Sequence, residues 1–145
     1  MSKNKNIKIV LVDPYVGGVP SSGLAYIASY LRRELKIQDI KILQKKFCAD
    51  ISRAVIELKP DIVGYFTLTV GLSRVYKVIE EVSFALPHTA QIMGGPHITA
   101  MPKSLSLHAS VGVMGEGEET MAKLVSIFQN YGALPSSELH KTEGI

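Results

Sequence analysis

A chain of 145 residues in which 46% are hydrophobic and 20% are charged has the size and balance of one soluble domain, because domains commonly contain about 100–150 residues. The net charge is only +3, and no basic stripe is interleaved with aromatic residues, which argues against nucleic acid as a partner. The single cysteine, Cys48, excludes a disulfide framework and a cysteine-rich zinc or iron–sulfur site within the chain. No apolar run approaches the roughly 20 residues of a membrane span. The polar start of the chain is not followed by a signal-type core, so the sequence predicts a cytoplasmic protein with no membrane partner.

Short apolar runs alternate with amphipathic segments along the chain. The apolar runs predict strands at Ile7–Val12, Asp39–Leu43, Asp61–Phe66, Ala90–Met93 and Ser110–Met114. The amphipathic segments predict helices at Leu24–Leu35, Ile51–Leu58, Gly71–Leu86 and Glu118–Tyr131, with a short helical turn after Pro102. Asp50 is the expected N-cap of the second helix, and Ser21 or Ser22 that of the first.

This alternation predicts an α/β fold. Strand–helix units with short links favour a five-stranded parallel sheet with helices on both faces. The expected strand order is 2-1-3-4-5, that of a doubly wound, Rossmann-like or flavodoxin-like domain. The polar tail, Ser136–Ile145, lacks periodicity and is expected to be loose or to be the start of a segment that is not present here.

Two glycine-rich loops each follow a predicted strand. They read G-G-P-H at Gly94–His97 and G-E-G-E-E at Gly115–Glu119. Glycine lets a ligand approach the backbone closely, and ligands of parallel α/β sheets bind at the carboxyl ends of the strands. In the expected order, the crevice lies between strands 1 and 3, so the loops Asp13–Gly23 and Thr67–Gly71 should flank the same groove.

Known phosphate motifs do not explain these loops. The first loop does not contain the G-x-G-x-x-G pattern of dinucleotide sites, and the chain has no P-loop. Gly115–Thr120 comes closest, but its glutamates would repel a phosphate and instead suit the positive end of a helix dipole. Metal binding by His97, Glu116 and Glu118 is conceivable, but their spacing does not enforce it, and the site prediction includes no metal ligand.

Five segments in order give the chain a family resemblance. They are Ile7–Tyr15, Val19–Leu31, Leu58–Gly64, Gly94–His97 and Gly115–Thr120. In this order and strand–loop context, the chain resembles the N-terminal cobalamin-binding domain of radical S-adenosylmethionine proteins. The resemblance divides the chain into a disordered N-terminus (residues 1–6), the cobalamin-binding domain (residues 7–132) and a tail or the start of a linker to an absent catalytic domain (residues 133–145).

The resemblance implies that the corrin rests on the carboxyl edge of the sheet and that its nucleotide tail enters the crevice. Tyr15 stands where the wider fold carries an axial histidine, so base-off binding without a histidine ligand is expected. Tyr15 either packs against the corrin or closes the first loop. Glu116 and Glu118 either contact the corrin amides or cap a helix. The cofactor-binding residues expected on this basis are Asp13, Pro14, Tyr15, Gly17, Gly18, Ser22, Thr67, Leu68, Thr69, Gly94, Gly95, Pro96, His97, Gly115, Glu116, Gly117 and Glu118.

The implied function is cofactor binding for a radical S-adenosylmethionine enzyme, a methyltransferase that uses methylcobalamin. The catalytic domain, in cis or in trans, would hold a [4Fe–4S] cluster and S-adenosylmethionine, which a chain with Cys48 alone does not bind. The chain by itself is therefore expected to be inert, and no catalytic residue is assigned. Two alternatives stay open: a stand-alone cobalamin carrier or sensor, and a vestigial docking domain that no longer binds cobalamin.

Overall fold

Strands and helices alternate throughout the computed structural model, which describes residues 6–15 and 21–145. The strands are β1 (Ile9–Asp13), β2 (Ile40–Gln44), β3 (Ile62–Phe66), β4 (Ala90–Gly94) and β5 (Val111–Val113). The helices are α1 (Ser22–Glu34), α2 (Ile51–Leu58), α3 (Leu72–Ala85), α4 (Pro96–Ala100), α5 (Glu118–Tyr131) and α6 (Ser136–Leu139). Short 3₁₀ turns occupy Lys45–Phe47 and Pro102–Ser104. The N-terminus that the sequence predicts to be disordered, residues 1–6, lies outside the described part of the chain except for Asn6.

The strands form one parallel sheet in the order β2-β1-β3-β4-β5, which confirms the predicted topology. Helices α1 and α5 cover one face, where Leu24, Leu31 and Leu124 pack on the sheet. Helices α2 and α3 cover the other face, through residues such as Val55 and Ile79. The central strands are therefore buried on both sides, as their continuous apolar sequence predicts.

Local signals in the sequence account for the helix boundaries. The Asp50 carboxylate accepts a hydrogen bond from the Arg53 N–H at 3.0 Å, which confirms it as the N-cap of α2. Gly132, with φ of 69°, ends α5 because glycine adopts the left-handed conformation without a steric penalty. Ser21 is the N-cap residue of α1 but makes no side-chain cap. Its N–H donates to the Asp13 carboxylate at 3.2 Å instead.

The C-terminal tail is ordered, contrary to the expectation that it is loose. It forms α6 and returns to the sheet, where the Gly144 carbonyl accepts from the Met114 N–H at 2.7 Å. Leu139 and Ile145 pack against the core on the α1/α5 face. The backbone bond satisfies a polar group at the end of β5, so tertiary contacts stabilise a segment that has no periodicity of its own.

No helix among the described residues is long and apolar enough to cross a membrane.

A buried chain of hydrogen bonds on the α2/α3 face should make the free energy of unfolding depend on pH in the alkaline range. The Tyr65 hydroxyl donates to Gln91 Oε1 at 2.6 Å, and Gln91 Nε2 donates to the Ile79 carbonyl at 2.9 Å. Tyr65→Phe leaves the Gln91 oxygen without a partner and should lower the free energy of unfolding at neutral pH by about 1–3 kcal/mol.

Burial raises the pKa of Tyr65 above its ordinary value of 10.0. The phenol consequently ionises in the unfolded chain before it does so in the folded one, and the stability it contributes is present below pH 10.0 and lost as the pH rises further. Urea unfolding of the unmodified chain and of Tyr65→Phe checks this account. The difference between their free energies of unfolding should be smaller above pH 10.0 than at neutral pH. A difference that does not change with pH would contradict this account.

Candidate cofactor site

A cavity of about 830 Å³ opens at the carboxyl edge of the sheet. It lies on the face covered by α1 and α5, above β3, β4 and β5, and it reaches Leu11 of β1. Small-molecule and cofactor sites commonly enclose about 300–1,000 Å³ and have mostly apolar walls. The cavity therefore has the size and position of a cofactor site in a parallel α/β fold.

Apolar side chains and glycines form most of the cavity wall. The sheet contributes Leu11, Gly64 and Ile92, whereas α1 contributes Leu24 and Ile27 and α5 contributes Met121. Gly94, Gly95, Gly115 and Gly117 line the rim, together with Pro96, Glu116 and Glu118. A flat apolar group could enter between the sheet and the two helices, with its polar attachments left at the edge.

The backbone around position 95 leaves room only for glycine. A Cβ atom at this position would lie 2.9 Å from both the N and O atoms of Thr67, and φ is +103°. Thr67 is itself bound to the same turn, because its N–H and its hydroxyl both donate to the Gly94 carbonyl, at 2.8 and 2.7 Å. Gly94 and Gly95 thus allow the ends of β3 and β4 to be joined by hydrogen bonds. They also leave space at the rim of the cavity.

His97 is buried and does not line the cavity. Its Nδ1 lies 2.9 Å from Thr69 Oγ1, and its Nε2 lies 2.7 Å from Ser104 Oγ. Ser104 Oγ donates to the Met101 carbonyl, so the network assigns the proton to Nε2 and leaves Nδ1 to accept from Thr69. Both ring nitrogens therefore have partners, and His97 links the loop after β3 to the turn after α4.

Tyr15 connects the end of β1 to the loop after β3. Its hydroxyl donates to the Leu68 carbonyl at 3.0 Å and accepts from the Leu68 N–H at 2.6 Å. Its ring meets Phe66 edge to face with centroids 6.1 Å apart, and burial raises its pKa. Asp13 is buried and accepts from the Tyr15 N–H at 3.3 Å, so these residues organise the loops after β1 and β3.

Thr99 joins the other two loops at the rim. Its hydroxyl donates to the Gly95 carbonyl at 3.0 Å and accepts from the Gly115 N–H at 2.9 Å. Glu118 and Glu119 occupy the first turn of α5, where carboxylates are stabilised by the helix dipole. Glu116 and Glu118 thus stand at the cavity mouth, in a position that is compatible with both of the roles considered for them.

The structure divides the predicted site residues into two groups. Those that line the cavity are Gly94, Gly95, Pro96, Gly115, Glu116, Gly117 and Glu118. Those that lie outside its lining are Asp13, Pro14, Tyr15, Ser22, Thr67, Leu68, Thr69 and His97. Gly17 and Gly18 lie outside the described residues. The first group forms the rim, and most of the second group forms the hydrogen-bonded support of the neighbouring loops.

Sequence reasoning missed the inner wall of the cavity. Leu24, Ile27 and Met121 occupy the helical spacings of ordinary core positions, which gives no sign that they face a cavity. Gly64 offered the one usable signal, because a glycine inside a buried strand often marks a close approach by another group. Among the described residues, no group of three or more His, Cys, Asp or Glu side chains is arranged to hold a metal ion.

A doubly wound α/β domain with an apolar cavity at the carboxyl edge of its sheet is the class of protein that this geometry defines. The chain matches the family model of the B12 binding domain over residues 8–125 and belongs to that family.

The chain is also similar to individual proteins. The chain is 33% identical over 134 residues to an uncharacterized methyltransferase of Pyrococcus horikoshii, covering 83% of this chain and 29% of the relative. A cobalamin-dependent S-adenosylmethionine radical enzyme, OxsB, superposes with a TM-score of 0.65 at 14% identity, covering 87% of this chain and 19% of the enzyme. A fragment of a putative lipoprotein from Peptoclostridium difficile 630 superposes with a TM-score of 0.53 at 13% identity, covering 82% of this chain and 96% of the fragment. These structures share the fold, and the chain spans less than a third of the methyltransferase.

Two rim glycines provide a matched test of the β3–β4 junction. Gly95 and Gly115 both have positive φ, but a Cβ at Gly115 would have no neighbour within 4 Å among the described atoms. Gly115→Ala should cost about 1–2 kcal/mol of unfolding free energy from backbone strain alone. Gly95→Ala should cost clearly more, because φ of 103° with ψ of −176° is a conformation that only glycine readily adopts and because the backbone of Thr67 must also move. Urea unfolding of the two variants checks this, and equal losses would refute the close approach at Gly95.

Proposed function

We propose that this chain binds cobalamin base-off, with the nucleotide tail in the α1/α5 cavity and the corrin across the carboxyl edge of the sheet. The observation that carries the proposal is the cavity of about 830 Å³, whose walls are apolar and whose rim is rich in glycine. The dimethylbenzimidazole of the tail is flat and largely apolar, which suits such walls. The ribose and phosphate of the tail need close backbone approach and hydrogen-bond donors at the rim, where Gly94 and Gly115 lie.

The same proposal includes no histidine ligand to cobalt. Both nitrogens of His97 are occupied by Thr69 and Ser104, and no histidine of the described chain lines the cavity. Tyr15, at the position of the axial histidine in the wider fold, uses its hydroxyl for two bonds to Leu68. The cobalt would then be free of a protein nitrogen ligand on the face toward this domain.

The wider role proposed for the chain is to hold methylcobalamin for a radical S-adenosylmethionine methyltransferase. The support is that one relative is an uncharacterized methyltransferase and that a structural neighbour is a cobalamin-dependent S-adenosylmethionine radical enzyme. Bound methylcobalamin supplies the methyl group. This chain has a single cysteine, so the iron–sulfur cluster and S-adenosylmethionine would belong to a separate catalytic domain.

The coding sequence beyond Ile145 tests this wider role. We expect it, or a neighbouring gene, to encode the C-x-x-x-C-x-x-C segment that the family resemblance implies, because cysteine thiolates hold iron–sulfur clusters. Reading through the genomic locus decides the matter. A locus with no such segment would contradict a radical enzyme and leave a carrier or sensor as the explanation for cobalamin binding.

Cobalamin binding can be tested directly with the 145-residue chain. After incubation with hydroxocobalamin and removal of free cofactor by gel filtration, the protein fraction should retain cobalamin with a base-off visible spectrum. Free hydroxocobalamin is base-on at neutral pH, so the spectrum reports the change caused by the protein. Retention with a base-on spectrum would contradict the position of the tail, and no retention would contradict the proposed function.

A matched pair of alanines tests whether the bound cofactor occupies this cavity. Ala100 and Ala85 are both exposed and both end a helix, α4 and α3 respectively, but only Ala100 lines the cavity. Ala100→Phe should place a ring in the mouth and weaken binding at least about tenfold, since overpacking commonly costs about 1–3 kcal/mol. Ala85→Phe should bind like the unmodified chain in equilibrium dialysis. Equal affinities for the two variants would assign the cofactor to another surface.

A further inference from the structure

The inner wall of the cavity contains only apolar side chains and glycine among the described residues. Leu11, Leu24, Ile92, Val113 and Met121 are each no more than 7% exposed and form this wall with Gly64. The strand residues among them are paired within the sheet, where Gly64 lies between Leu11 of β1 and Ile92 of β4. This part of the cavity is therefore shielded from water and offers van der Waals contact.

The polar groups of the lining are at the mouth or already have partners. Tyr26 and Glu116 are exposed, and Glu118 is half-buried. The hydroxyl of Thr99 is bonded to Gly95 and Gly115. Tyr65 packs on the opposite face, where its hydroxyl donates to Gln91. No buried side-chain nitrogen or oxygen of the described residues lacks a hydrogen-bond partner, so none of these atoms needs a polar ligand to satisfy it.

We propose that this wall makes the domain selective for the base carried by the nucleotide tail of a cobamide. It accepts the apolar dimethylbenzimidazole of cobalamin and discriminates against a purine such as adenine. The ring nitrogens and the amino group of adenine lose their hydrogen bonds to water when they enter the inner part of the cavity and find no replacement there. This inference rests on the proposed function, since it assumes that the tail occupies the cavity.

Gly64 sets the depth available to the base. It lies on the face of β3 that carries Ile62 and packs Phe66 against the α1/α5 core. A Cβ at Gly64 would meet Leu11 Cδ2 at 2.9 Å and Met121 Cε at 3.7 Å. An added methyl group would therefore displace the side chain of Leu11, which lines the cavity, toward the space where the proposal puts the base. Gly64 is therefore assigned as a specificity-determining residue.

Three cobamide probes test the selectivity on the unmodified chain. They are cyanocobalamin, the cobamide that carries adenine in its tail, and dicyanocobinamide, which has no tail, all in excess cyanide so that the base is displaced from the cobalt in each tail. Equilibrium dialysis should give the adenine cobamide a dissociation constant at least about tenfold above that of cyanocobalamin, as expected for burying unpaired polar atoms. Dicyanocobinamide should also bind more weakly than cyanocobalamin, because it makes no contact in the cavity.

The outcomes separate this inference from the function on which it rests. Equal affinities for the two base-bearing cobamides would overturn the selectivity and leave cobalamin binding intact. Equal affinities for cyanocobalamin and dicyanocobinamide would overturn the occupation of the cavity by the tail. Failure to bind any of the three would overturn the proposed function itself.

A pair of strand glycines tests the role of Gly64. A Cβ at Gly112 in β5 would also be tight, at 3.2 Å from Ile98 Cγ2 and Leu105 Cδ1, but Gly112 does not line the cavity. Gly64→Ala should weaken cyanocobalamin binding at least about fivefold through overpacking and leave dicyanocobinamide binding unchanged. Gly112→Ala should change neither. Equal effects of Gly64→Ala on both ligands would overturn the assignment, and the comparison of ligands on the unmodified chain still decides the selectivity if either variant fails to fold.

Discussion

The architecture of the rim depends on the close approach of two backbones at the carboxyl ends of β3 and β4. Thr67 is fully buried, and its N–H and hydroxyl both donate to the Gly94 carbonyl. Its own carbonyl accepts from the His97 N–H at 3.1 Å, which ties the first turn of α4 to the same point. Buried backbone groups must be paired, so this set of bonds fixes where β4 ends and α4 begins. The absent side chain of Gly95 is the condition for all of them.

The short helix α4 distributes its side chains to two different regions. Successive residues of a helix are rotated by about 100°, so His97 and Thr99 point in nearly opposite directions. His97 enters the network of Thr69 and Ser104, whereas Thr99 reaches the Gly115 N–H and lines the cavity. The histidine of the G-G-P-H segment thus supports the neighbouring loop, and the threonine two residues later borders the cavity. The position of Thr67 determines both, because it fixes the start of the helix.

The fold could be predicted from the sequence because its signals are local. The strand runs, the helical periodicities and the Asp50 cap all depend on neighbours within a few residues, and α5 has the predicted bounds, Glu118–Tyr131. The packing of the C-terminal segment against the sheet could not be predicted in this way, because the hydrogen bond from the Met114 N–H to the Gly144 carbonyl joins residues that are distant in the sequence. The inner wall was missed for a related reason. Whether Leu24 or Met121 faces a filled core or a cavity depends on what stands opposite, and the opposite residue, Gly64, lies on another element.

Gly64 also bears on why such a cavity is kept in a small domain. A glycine inside a strand loses more conformational entropy on folding and packs less well than the β-branched residues that buried strands favour. Protein interiors are otherwise close-packed, and the walls of an apolar cavity lose dispersion contacts that a filled core would have. At Gly64 the flanking strand residues on the same face are large, since Ile62 is buried in the core and Phe66 packs against it. A ligand that binds only the folded state restores those contacts and stabilises the fold by mass action. Under the proposed function, the strand glycine is therefore unfavourable for the empty domain and favourable for the domain that holds the nucleotide tail in its cavity.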